Sequence, residues 1–299
     1  MKLKHPICKP LKIALVAALL PAPFGWFGNP ARAVEPPKTE DQLHLRYAAY
    51  WGGLHIADFA LSLKTDENGF ENQFHLKSRG LVWFFTELDA EAKSKGAVVS
   101  SNDQRAPQFQ PSHYFTEYKS RKHWRWVDIT FGEEQNPAKA VTGTSPIEGK
   151  EDKWDPKDKG PEVLDKVEPD KTVGTMDPVT LVPQLMAFVD THLSGGPKEG
   201  VLPGFDGRRR FDMKATYLGP ATRTVGEAKY ETYRVRVKPI PVAGFKKRHE
   251  KIWNKAAYDF YFSRNGKFIP VQIYPVKSGP VLNFVKECAG PCDLKEELD

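Results

Sequence analysis

The sequence predicts a mainly β protein: an antiparallel curved sheet or incomplete barrel with one amphipathic helix packed against it. Three observations carry this. Apolar residues recur with a period of two along most of the chain, turn signals separate the runs, and a single stretch changes to helical spacing. With 299 residues, 40% apolar and 12% aromatic, the chain can build a sizeable core, and its three cysteines exclude a disulfide-dense miniprotein.

Residues 1–33 read as a secretory signal peptide. Lys2, Lys4, Lys9 and Lys12 give a basic start, Ile13 to Leu20 an apolar run, and Ala31-Arg32-Ala33 a small-x-small cleavage site. The run is far shorter than the roughly 20 residues that span a bilayer, so the chain is not expected to be transmembrane. Cys8 precedes the run, where a lipobox cysteine would not stand. Cleavage after Ala33 removes five basic residues and no acidic one, lowering the net charge of +6 to +1. The expected location is the periplasm, and export makes nucleic acid an unsuitable partner despite a sequence pI near 9.0.

A linker, 34–42, then leads into a single β-rich domain expected over 43–287. His55, Ala57, Phe59, Leu61 and Leu63 share one face of a strand, and Phe70, Phe74 and Leu76 alternate with polar residues in the next, across the turn Thr65 to Gly69. Further alternation covers Tyr114 to Tyr118, Trp124 to Phe131, Phe211 to Leu218 and Tyr230 to Lys238. Tyr258 to Phe262 is joined to Phe268 to Tyr274 through Arg264-Asn265-Gly266-Lys267, a strong hairpin signal. Between these, Asp177 reads as an N-cap and Pro178 suits a first helical turn. Leu181, Leu185 and Phe188, with Val182, Met186, Val189 and Leu193, form an apolar stripe that Ser194-Gly195-Gly196-Pro197 ends. Residues 150–171 are charged, Pro-containing and nearly free of apolar residues, which reads as a solvated loop. In the tail, 288–299, Cys288 and Cys292 are expected to form a disulfide, since export places them in an oxidising compartment.

The search for chemistry returns absences. The chain has no GxSxG elbow, phosphate-cradling loop or GxGxxG fingerprint, and no cofactor is implied. His249-Glu250 begins like a zincin motif, but Trp253 stands where the second histidine should be, the local pattern is strand-like, and no metal is expected. Asp58 and Asp206 read as a solvent-facing and a turn residue. The basic-aromatic stretch Tyr118 to Trp126 and the turn Gly207 to Phe211 supply the candidate ligand-binding residues Trp124, Arg125, Trp126, Arg208 and Arg210. They suit an anionic partner such as a lipid, lipopolysaccharide or acidic glycan. The simpler reading keeps Trp124 and Trp126 on one strand face with cationic stems over their rings.

Leu45 to Asp58, Met176-Asp177-Pro178-Val179-Thr180-Leu181, Phe205 to Phe211 and Phe268 to Ile273, behind a signal peptide, together resemble the domain of unknown function 3108 family. The resemblance implies an all-β exported envelope protein of Gram-negative bacteria, with no established activity and no catalytic residues to carry over. The functional expectation is a non-enzymatic protein that supports envelope integrity by binding an amphipathic or anionic envelope component, or a partner protein, on a curved sheet. The alternative is an envelope glycan or peptide hydrolase using dispersed carboxylates.

Overall fold

A computed structural model of the chain describes residues 41–67, 69–99, 107–121, 123–132, 136–146 and 167–294. The signal segment, the linker to residue 40 and most of the charged loop lie outside the described residues.

Seven strands come first: β1 (Asp41–Trp51), β2 (Leu54–Asp66), β3 (Gly69–Ser78), β4 (Asp89–Val99), β5 (Gln108–Lys119), β6 (His123–Thr130) and β7 (Lys139–Pro146), with a short helix α1 (Gly80–Thr86) between β3 and β4. Helix α2 (Leu181–Leu193) follows. The remaining strands are β8 (Glu199–Phe205), β9 (Arg210–Val225), β10 (Ala228–Ala243), β11 (Tyr258–Ser263), β12 (Pro270–Pro275) and β13 (Val281–Glu287), with helix α3 (Lys247–Trp253) between β10 and β11. All thirteen form one sheet in the order β7-β6-β5-β4-β3-β2-β1-β13-β12-β11-β10-β9-β8, antiparallel throughout. Every neighbour but the β1/β13 pair is consecutive in sequence, which is why hairpin signals carried so much of the prediction.

The sheet curls without closing. Val127 and Ile129, one strand in from the β7 edge, share a core cluster with Phe205 of the opposite edge strand β8 and with Leu45 and Leu61 from the middle. Gly207 makes the approach possible. Its φ of 84° is the left-handed region that glycine tolerates, and an added Cβ would come within 2.4 Å of Val127 Cγ1.

Helix α2 fills the concave side. Val182 and Met186 pack on the first cluster, while Leu181, Leu185, Phe188 and Val189 join Phe211, Val235 and Phe262 in a second. The predicted stripe is therefore a core surface shared by both halves of the sheet, except at its last member Leu193, which is 40% exposed. The regular helix begins at Leu181, but Asp177 Oδ1 accepts the amides of Val179 and Thr180 at 2.9 Å each, which is the capping role expected of it.

Two sequence readings are corrected. Asp58 does not face solvent: it is 1% exposed and binds Arg79 at 2.7 Å, His55 at 2.8 Å and Arg46 at 3.6 Å. The cover comes from far away in sequence, where the tail beyond the bonded pair Cys288–Cys292 returns over β1. Cys288 N donates to His44 O at 2.8 Å, and Arg79 donates to the carbonyl of Leu294. The second correction concerns His249, which lies on helix α3 and not in a strand.

Candidate functional site

Strand alternation turns Tyr47, Phe59, Leu61, Phe74 and Tyr114 toward the concave side. There they wall an apolar cavity of 240 Å³ against Val179 and Val182 at the start of α2. A second cavity, of 440 Å³, lies on the far side of Pro178 and Val182 among Leu202, Phe211, Val237 and Trp253. Pro178, Val182 and Phe260 belong to both walls, so the two spaces adjoin across the first turn of α2. Most strand residues that line the first cavity, Leu61 and Pro270 apart, lie in the halves nearest the β1–β2, β3–β4 and β12–β13 connections.

Two polar features interrupt this apolar interior. Asp177, fully buried, accepts Ser94 Oγ and Thr180 Oγ1 on Oδ2 at 2.7 Å each, and the two hydroxyls lie 2.8 Å from one another. Burial pushes its carboxyl up, against the pull of those donors. The second feature is Tyr47, 5% exposed, whose hydroxyl is buried with no hydrogen-bond partner among the described residues. Burial raises its phenol well above the ordinary range. Tyr114 is raised as well, by burial first and then by the charge of Asp177.

The five residues singled out from sequence line neither cavity. Trp124 Nε1 donates to Glu117 at 2.8 Å and Arg125 Nη1 to the Tyr118 hydroxyl at 3.3 Å. The Trp126 indole lies against Gly143, and Arg210 pairs with Asp212 at 2.7 Å while its Nε donates to the Lys171 carbonyl at 2.9 Å. Arg208 stands at the β8–β9 turn, where its amide and that of Arg209 donate to Asp206 Oδ1 at 2.8 and 2.6 Å, the tight turn read from Asp206-Gly207. The cations lying over rings are elsewhere, Lys77 on Trp83 and Arg121 on Phe84 among them. Among the described residues no cluster of three or more metal-ligating side chains occurs.

Comparison with known proteins adds a family. The model described as "Protein of unknown function (DUF3108)" matches residues 46–281, which runs from the middle of β1 to the first residue of β13 and takes in all of α2. The chain belongs to the DUF3108 family. A search of curated proteins finds no match for this DUF3108 chain. Among solved structures it is similar to the crystal structure of a beta-barrel-like protein of domain of unknown function DUF1849 from Brucella abortus. The identity is 12% and the TM-score 0.46, over 82% of this chain and 96% of that one. No helix among the described residues is long and apolar enough to cross a membrane.

Proposed function

We propose that this DUF3108 protein is an exported, non-enzymatic binding protein that holds an amphipathic envelope molecule in the concave side of its sheet. The observation that carries the reading is the apolar cavity beside α2, lined in part by Tyr47, whose hydroxyl is buried without a hydrogen-bond partner among the described residues. Apolar wall left uncovered in that space costs free energy that a hydrocarbon ligand recovers, and a buried hydroxyl without a partner costs about 1 to 3 kcal/mol more. An acyl chain offsets the first and a carbonyl acceptor at its head offsets the second. Arg209, lying over Phe245 and over Trp253 in the wall of the second cavity, supplies a cation for an anionic head. The periplasmic location rests on the basic, apolar and small-x-small features of residues 1–33.

The test is mass spectrometry of organic extracts from protein purified without detergent, beside the variant Val182→Trp, whose larger ring fills the space between the two cavities. Wild type is expected to carry a lipid that the folded variant lacks. Folded wild type that carries none and takes up no added lysophospholipid overturns the reading. Amino-terminal sequencing of the envelope fraction tests export, with a start after Ala33 as the expected result.

A further inference from the structure

The antiparallel order places six connections at one end of the sheet: β1–β2, β3–β4, β5–β6, β8–β9, β10–β11 and β12–β13. That end is apolar where solvent meets it. Trp51 and Leu54 flank the β1–β2 turn, and Leu81, Phe84 and Phe85 project from α1; each is between 61% and 68% exposed. None of the seven residues of α1 is buried, although five of them are apolar, so core packing does not explain them. The backbone beneath is nevertheless well fixed. Glu87 N bonds Trp83 O at 2.8 Å, Arg121 N bonds Thr86 O at 2.7 Å, and Ser78 N bonds Leu88 O at 2.9 Å. At the β1–β2 turn Gly52 and Gly53 both take positive φ, 58° and 84°, and a Cβ on either would meet nothing within 4 Å, so the tip projects clear of the sheet.

Charge selects what this surface faces. Lys77 lies over the Trp83 ring and Arg121 over the Phe84 ring, and at the same end the short helix α3 presents exposed Lys247, Arg248 and Lys251 beside an Ile252 that is 58% exposed. The acids near these groups are themselves engaged: Glu87 with Arg121 at 3.1 Å, Glu117 with the Trp124 indole at 2.8 Å, Asp89 with His75 at 2.8 Å and Asp58 with Arg79 at 2.7 Å, while Glu250 stands on α3. Indole and phenyl rings surrounded by lysine and arginine match the two layers of an anionic lipid surface, the rings at the headgroup boundary and the cations at the phosphates.

We infer that this end of the sheet, formed by the β1–β2 turn, α1 and α3, docks the protein on an anionic lipid surface. The inference is independent of what fills the interior cavity. It is tested on the whole chain with vesicles of phosphatidylcholine alone and of equal parts phosphatidylcholine and phosphatidylglycerol. Wild type is expected to partition to the mixed vesicles, less so as salt rises, and the double variant Phe84→Ser/Phe85→Ser to lose about tenfold or more of that affinity. Because α1 buries no side chain, the variant keeps its fold, which the wild-type melting temperature verifies. Vesicles of brominated lipid are expected to quench wild-type tryptophan fluorescence, and less so in Trp51→Phe/Trp83→Phe. Val182→Trp, which blocks the cavity, retains full docking, so loss of cavity binding and loss of docking are read separately. Unchanged partitioning of folded Phe84→Ser/Phe85→Ser, or equal partitioning to both vesicle types, overturns the inference, as does crosslinking in cells that joins α1 to a protein while the vesicle results stay flat.

Discussion

Two buried polar positions lie on the same concave surface and differ in what surrounds them. Around Asp177, two hydroxyls and two amides converge on the carboxylate, so the group ties α2 to β4. Around Tyr47 the walls are hydrocarbon and the hydroxyl meets nothing among the described residues. Burial is equal in kind at both, and the partners decide the meaning: a satisfied polar group specifies how elements dock, whereas an orphaned one calls for an explanation, which the ligand proposed above would supply. The outer face repeats the first case with Asp58 and with Asp259, which Arg234 and Arg236 hold at 2.6 and 2.9 Å.

The largest expected effect is at Asp177. Asp177→Ala removes the cap and the shared acceptor of the Ser94 and Thr180 hydroxyls, leaving the two only each other in a buried site, with an expected loss of about 3 kcal/mol in urea denaturation. A loss under about 1 kcal/mol means that the site is not the tie described. A smaller effect is read from pH. Since burial holds the Asp177 carboxyl above its unfolded value, the native state retains a proton that the unfolded chain has released. That contribution is fully present below the ordinary carboxylate range and is lost as pH rises through the raised value. Asp206 is raised by burial too and slopes the same way, so the contrast is with Asp177→Asn, which cannot titrate. Unfolding free energy of wild type relative to the variant is expected to fall across that window; a flat difference shows that the four donors have cancelled the effect of burial.

Much of the fold was legible in sequence because its hairpins are local, and α2 with its Asp177 cap was legible because cap, Pro178 and stripe are contiguous. What escaped did so for physical reasons. Strand β4 turns Ala92 and Ser94 inward, small residues dictated by the close approach of Thr180 to Ser94, so its alternation carries little hydrophobic contrast. Helix α1 has no buried face and hence no period to detect. Asp58 alternates as a surface residue should; it is buried under Arg46 and Arg79 from other elements, and Arg79 donates in turn to the carbonyl of Leu294 in the tail. For the interior site, the search favoured cations beside tryptophans, Trp124, Arg125, Trp126, Arg208 and Arg210, whereas the cavity is lined by residues that read as ordinary core. The orphaned state of Tyr47 is a property of its neighbours, which no local pattern records.

The finest test of the comparison is therefore Tyr47→Phe, because its sign reverses with the contents of the cavity. In lipid-free protein the change deletes a hydroxyl that has no partner, and the phenyl ring keeps its edge contact with Phe284 at 5.9 Å between centroids. Unfolding free energy is then expected to hold steady or rise by up to about 1 kcal/mol. In protein loaded with an amphiphile whose carbonyl accepts from that hydroxyl, the same change removes a hydrogen bond and is expected to weaken binding by about 1 kcal/mol, roughly a fivefold change in dissociation constant. Both arms can be followed by thermal melts with and without added lysophospholipid. A destabilised lipid-free variant gives the hydroxyl a partner inside the empty protein, and Tyr47 then joins Asp177 as a structural tie; opposite signs in the two arms separate them.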